Sequence, residues 1–176
     1  MENQNREVIS YNKVKLTGLI LISLLLIWQG ADNIFYNAEM RPYYLKYIAS
    51  AFLILFFGFS CYMWIKKLFF GNPAIVIEKS GITDNSTTFS AVYIPWDEIK
   101  DIKANRLWAG NFVSISLKNP QIFISLQKNR KTRRLLQANY NRTEYPITIS
   151  TGLLNISSIK LAELLKNNLS RYTPTV

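Results

Sequence analysis

The stretch "YIPWDEIKDI", Tyr93 to Ile102, sets three carboxylates, Asp97, Glu98 and Asp101, around a proline and a tryptophan. Two readings compete for it. If Asp97 and Asp101 stand four residues apart on a helical turn, they share a face and would ligate Mg²⁺ or Ca²⁺. If Pro95 instead ends a strand, because proline cannot donate to a ladder, the segment is a corner in a β-rich domain. The second reading is the better supported. Calcium takes about six to eight oxygen ligands, and no Asp-rich loop with a central glycine accompanies these acids. Lys100 and Lys103 are threaded among them and offset their charge. The expectation is that Asp97 caps a short turn while Trp96, Ile99 and Ile102 point into a core.

On either side of this corner the chain alternates as strands do. "AIVIEK", Ala74 to Lys79, is β-branched and followed by the turn signal Ser80–Gly81. "TDNST", Thr83 to Thr87, reads as a polar hairpin loop, and "FSAVYI", Phe89 to Ile94, as the strand that Pro95 ends. "NFVSISLK", Asn111 to Lys118, puts Phe112, Ser114 and Ser116 on one face and Val113, Ile115 and Leu117 on the other. Asn119–Pro120 reads as a turn, "IFISLQ" as a further strand, and "YPITIST", Tyr145 to Thr151, as a late one. The end has Ile159, Leu161, Leu164, Leu165 and Leu169 at helical spacing, with Ser157 or Ser158 as N-cap. The fold class expected is α+β: about six or seven antiparallel strands curled into a sandwich or partial barrel, closed by a C-terminal amphipathic helix.

Upstream the chain is of a different kind. Leu16 to Phe35 carries no charge until Asp32, and twenty residues of helix cover about 30 Å, the hydrocarbon thickness of a bilayer. Tyr47 to Ile65 is nineteen residues without a charge, about 28 Å of helix. Both read as transmembrane helices, about 16–35 and 47–65 within an N-terminal segment 1–67, followed by a domain over 73–172. A cleaved signal peptide competes for the first run, but the residues after it, "WQGAD", make a poor cleavage site. Arg6, Lys13 and Lys15 precede the first span and Lys66–Lys67 follow the second, against Arg41 and Lys46 in the connecting loop. That bias favours both termini in the cytoplasm. Trp28, Tyr36, Tyr43, Tyr44, Tyr47 and Trp64 cluster near the span ends, as interfacial aromatics do. Gln29 and Asp32 are read as interfacial, not as a transport pathway.

The order "AIVIEKSGITDN … AVYIPWDEIKDIKA … FVSISLKN", closed by a helix, resembles the bacterial pleckstrin-homology (PH)-like domains that follow a pair of transmembrane helices. It is particularly similar to a family of small inner-membrane proteins of that build. Its most telling pieces are Gly81–Ile82, "IPWDEI" at Ile94 to Ile99, and "PITIST" before the last helix. The resemblance covers nearly the whole chain. It implies a PH-like barrel on the cytoplasmic face that binds lipids or proteins, and it supplies no catalytic residues.

Composition narrows the chemistry. Histidine is absent, which removes the commonest general base and metal ligand. One cysteine, Cys61, allows no intramolecular disulfide and reads as a small packing residue in the second span. There is no Gly-rich phosphate loop, no G-x-S-x-G and no Cys/His constellation, so neither enzyme activity nor a cofactor is expected. The net charge of +10 calls for an anionic neighbour. Its densest source is "QKNRKTRRLL", with Lys128, Arg130, Lys131, Arg133 and Arg134 ahead of Leu135–Leu136. Tethered below a membrane, this amphipathic segment would meet the anionic leaflet or an acidic protein. Nucleic acid is not an expected partner, since no recognition motif accompanies the charge. In "RLWAGNF", Arg106 to Phe112, Trp108 is a candidate tip for lipid or partner contact.

The expected function is thus that of a membrane adaptor or regulator binding a protein or anionic lipid. The alternatives are an immunity protein that neutralises a membrane-acting toxin, or an accessory subunit of a transport or envelope complex. Homo-oligomerisation through the spans is compatible with the sequence, although no small-xxx-small stripe supports it.

Overall fold

The computed structural model describes residues 6–35, 43–86, 91–107 and 110–173. The chain divides into two compact units, Tyr11–Gly71 and the combination of Met1–Ser10 with Asn72–Val176. The class is α+β, with two long apolar helices and antiparallel sheets that are not closed into a barrel.

The first unit is a helical hairpin of α1 (Lys13–Phe35) and α2 (Tyr43–Phe70). Both are long and apolar enough to cross a membrane. Two of the hairpin's hydroxyls find an acceptor one turn back, Ser23 Oγ donating to Leu19 O and Ser60 Oγ to Phe56 O, both at 2.8 Å, whereas the buried Ser50 Oγ has no hydrogen-bond partner among the described residues. The helices run antiparallel. The Lys67 ammonium near the end of α2 lies 5.0 Å from the Tyr11 ring at the start of α1, and at the other end Gly30 of α1 packs on Ser50, Leu53 and Ile54 of α2. A Cβ on Gly30 would come within 3.1 Å of Leu53 and Ile54, so the residue allows a close approach. Cys61 is buried, as a packing role requires. Helix α2 starts earlier than the charge-free run does, so Lys46 is helical and buried instead of lying in a connecting loop. Tyr36 and Arg41 lie outside the described residues.

The second unit begins before the hairpin. Strand β1 (Glu7–Ile9) pairs antiparallel with β2 (Ile75–Glu78), which follows the hairpin, in the register Glu7↔Ile77 and Ile9↔Ile75. Arg6 Nε adds an ion pair to Glu78 at 3.5 Å. Three residues are too few to show periodicity, so the sequence pattern gives no sign of this strand. Strands β3 (Gly81–Asp84) and β4 (Val92–Pro95) complete a sheet of order β1-β2-β3-β4. The polar loop therefore starts at Asn85, not Thr83, and Phe89 lies outside the described residues. Gly81 faces Pro95 across the ladder, and a Cβ there would run into the Ile94 carbonyl oxygen.

At the corner, a single 3₁₀ turn over Trp96–Glu98 joins β4 to β5 (Ile99–Leu107). Strand β5 pairs with β6 (Gly110–Leu117), and β6 with β7 (Ile147–Ser150), forming a second sheet of order β5-β6-β7. Trp96, Ile99 and Ile102 are buried as expected. Trp96 ties the corner together: its Nε1 donates to Glu78 O at 2.9 Å, and its ring stacks on Tyr172 of the last helix, centroids 6.1 Å apart. Asp97 does not cap the turn. Pro95 holds the N-cap position without a side-chain bond, and Asp97 is exposed.

Two helices fill the chain between β6 and β7, where the sequence pattern leads one to expect a strand. "IFISLQ" is not a strand but lies in and just beyond helix α3 (Pro120–Ser125). Proline at the first helical position, behind Asn119, starts a helix as readily as it makes a turn, and the run is too short for its period to decide. Helix α4 (Arg130–Thr143) follows, and α5 (Ser158–Tyr172) ends the fold. Ser157 is the α5 N-cap, its Oγ accepting from Lys160 N. Leu161 and Leu165 are fully buried, and α5 packs on β5 and β6. Ile159, expected with them, is exposed, and Asn168 is buried instead, its Nδ2 donating to Leu164 O at 3.0 Å.

Candidate functional site

The carboxylates that raised the question of a metal site are spread over three environments. Asp97 is exposed on the 3₁₀ turn and Glu98 half-buried. Asp101 Oδ1 accepts from Ile102 N at 2.8 Å, and its Oδ2 lies 3.5 Å from Lys103 Nζ. From Ile99 the chain is strand, so Asp97 and Asp101 do not share a helical face. Among the described residues no group of three or more His, Cys, Asp or Glu is placed to hold a metal ion.

The basic run folds as α4. Asn129 is its N-cap, Oδ1 accepting from Lys131 N at 2.9 Å, which satisfies one of the free amides of the first turn. Glu144 closes the other end at φ 63°, in the left-handed region, and donates its N–H to Tyr140 O at 2.9 Å. Thr132 and Leu136 are buried and Leu135 half-buried, on the face that packs toward β7 and α3. Arg130, Lys131, Arg133 and Arg134 are all exposed, as is Lys128 just ahead of the helix. The amphipathic character expected of the segment is present, but most of its charge lies in the first turns.

That placement is electrostatically unusual. The first turn of a helix carries the positive end of its macrodipole and favours acidic side chains, yet α4 has none there. The ion pairs found among the described residues are Arg6–Glu78 and Lys103–Asp101, and neither involves these five cations. The sequence therefore gathers positive charge at a point where the backbone adds to it. Trp108 lies outside the described residues.

Immediately before the basic run, α3 buries Phe123 and Ile124 and turns Ile122 outward, 61% exposed, with Leu126 beyond its last turn 73% exposed. The two are four residues apart on one side of the turn, and Leu126 N donates to Ile122 O at 3.1 Å. Sequence reasoning misses this pair, because assigning the segment to a strand hides an i,i+4 relation. On its inner side α4 also covers a cavity of about 210 Å³, with Asp84, Val92, Phe112, Leu136, Asn139 and Thr148 among its lining. It is smaller than the roughly 300–1,000 Å³ of most ligand pockets. Asp84 at its edge is buried and accepts from Ser86 N at 2.8 Å.

Comparison of the chain with protein-family models, with characterised proteins and with solved structures finds no match in any of the three.

Proposed function

We propose that this chain is a two-span membrane protein whose α+β unit, PH-like in plan, lies on the cytoplasmic side. There it acts as a non-enzymatic adaptor or regulator for an anionic lipid or protein. The observation that carries the topology is the β1–β2 pair. β1 precedes the hairpin and β2 follows it, and strands hydrogen-bond only within one compartment. The hairpin must then cross the membrane twice or not at all. The apolar side chains on its outer faces, such as Phe52, Phe59 and Leu25, argue for crossing, since a helix of a soluble core would bury them. Retention of α1 also follows, because cleavage after it would remove β1 from its sheet. Lysines and arginines at the β1–β2 side of both helices favour the cytoplasm for that side. The strand order, the Trp96 corner and the closing helix α5 support the PH-like plan, and the exposed cations of α4 supply an anion-seeking surface.

The test uses the single cysteine. In a Cys61→Ala background, cysteines placed at Val8, Asn37 and Ala138 are probed with a membrane-impermeant maleimide in intact cells and after permeabilisation. Labelling at 37 in intact cells, with 8 and 138 reacting only after permeabilisation, is expected. Opposite accessibility of positions 8 and 138 would overturn the topology. The binding role is probed by purification in mild detergent: co-purification of anionic lipid or of one protein, lost on neutralising the α4 cations, is expected, and recovery of the chain alone would count against it.

A further inference from the structure

We infer that the α3–α4 edge is a docking surface for an anionic bilayer, with Ile122 and Leu126 as its apolar wedge and the α4 cations as its headgroup collar. The inference rests on the topology proposed above, which keeps this unit beside a membrane.

Three observations meet at this edge. Ile122 and Leu126 are among the most exposed large apolar side chains of the unit, although neighbouring Phe123 and Ile124 show that the same short helix buries apolar groups where it can. Two residues after Leu126, the chain begins a run of five exposed cations that make no ion pair among the described residues. Four of those lie in the first turns of α4, where the helix macrodipole opposes them. An acidic surface relieves that opposition, and an apolar boundary takes up Ile122 and Leu126; an anionic leaflet offers both in one place. A soluble acidic protein would match the charge, but its rim would leave an isoleucine and a leucine against polar groups. Lipid is the occupant that satisfies both.

The affinity expected of such a surface is modest and grows with each charge. Each lysine or arginine near an anionic leaflet contributes roughly fivefold, so removing two lowers docking about 25-fold. Weak intrinsic affinity suffices here, because the spans hold the unit at high local concentration beside the leaflet.

The experiment places full-length protein, Cys61→Ala and Ser125→Cys with an environment-sensitive fluorophore at position 125, in nanodiscs. One set contains phosphatidylcholine alone, the other phosphatidylcholine with phosphatidylglycerol. Identical leaflets make orientation irrelevant. A blue shift and quenching by lipid-borne nitroxide in the anionic discs, both lost at high salt, are expected. Arg130→Gln with Arg134→Gln should reduce the charge dependence, and Ile122→Asn with Leu126→Asn should abolish the nitroxide quenching; all four positions are exposed, so folding checked by circular dichroism should persist. A solvent-like signal in both disc types, from protein that has embedded, overturns docking while leaving the spans intact. Failure to embed overturns the topology instead. A signal indifferent to lipid but shifted by added polyglutamate would assign the edge to an acidic protein and also overturn the inference.

Discussion

Leu55 in α2 and Leu165 in α5 are the same side chain in the same kind of helix, and one is 73% exposed while the other is fully buried. The contrast extends to their whole units. In the hairpin, leucines and isoleucines of both helices and phenylalanines of α2 face outward; in the α+β unit, the same residues fill the space between sheets and α5. Burial at about 25 cal/mol per Å² drives the second arrangement and is forgone in the first. Two units of one chain thus follow opposite rules, which is consistent with two solvents.

Substitution at these two leucines gives the largest expected effects. Leu165→Ala should destabilise the α+β unit by about 2–5 kcal/mol, seen as a lower urea midpoint. Leu55→Ala should leave that midpoint within about 0.5 kcal/mol. Leu55→Arg, by contrast, should disfavour membrane insertion by roughly 3–4 kcal/mol, measured with a glycosylation reporter of helix insertion. If Leu55→Arg inserted as well as the parent, or Leu55→Ala unfolded the α+β unit, the two-solvent comparison would fail.

Close approaches sharpen it at the next level. At Gly81 a new Cβ meets the Ile94 carbonyl, a backbone atom held in the β3–β4 ladder, and Gly81→Ala should cost about 1–3 kcal/mol in the same urea titration. At Gly30 the obstacles are Leu53 Cβ and Ile54 Cγ1 at 3.1 Å and the Ser50 carbonyl oxygen at 3.3 Å, so α1 and α2 need to part by only a few tenths of an ångström. Alanine also gains about 1 kcal/mol in helix propensity over glycine, so Gly30→Ala should be nearly neutral in detergent unfolding. A larger loss at Gly30 than at Gly81 would mean that the hairpin is packed as tightly as the sheets.

These contrasts also mark what could be read in the sequence. The two long apolar helices were legible because some twenty continuous apolar residues match the thickness of a bilayer and exceed what a soluble core usually needs. Strands β2, β4, β6 and β7 were legible from β-branched runs and alternation, and α5 from its period and Ser157. Strand β1 was not, because Glu7–Ile9 is defined by its partner Ile75–Ile77 beyond the hairpin and not by any local pattern. Helix α3 was misread because six residues cannot separate a period of 3.6 from one of 2, and Asn119–Pro120 serves both as turn and as helix start. The candidate site was half legible. Charge density singled out Lys128 to Arg134, but the apolar pair beside it emerged only once α3 was a helix.

The smallest expected effect lies at Lys103, on the exposed side of β5. Its ammonium sits 5.8 Å from the centre of the Tyr145 ring and 3.5 Å from Asp101 Oδ2. A hydrogen bond to Tyr145, then the charge there and the Asp101 carboxylate, hold its pKa above the ordinary 10.5. A lysine whose pKa rises on folding binds its proton more tightly in the native state. Its contribution is therefore fully present below pH 10.5 and is lost as pH climbs through the raised native value. Solvent screens so exposed a group, and Lys103→Met should lower the urea midpoint far less than Leu165→Ala does. The sign is what the measurement reads: parent and variant should differ at pH 8 and converge above the native pKa. A difference that stayed the same across this range would mean that Lys103 contributes through its aliphatic stem and not its charge.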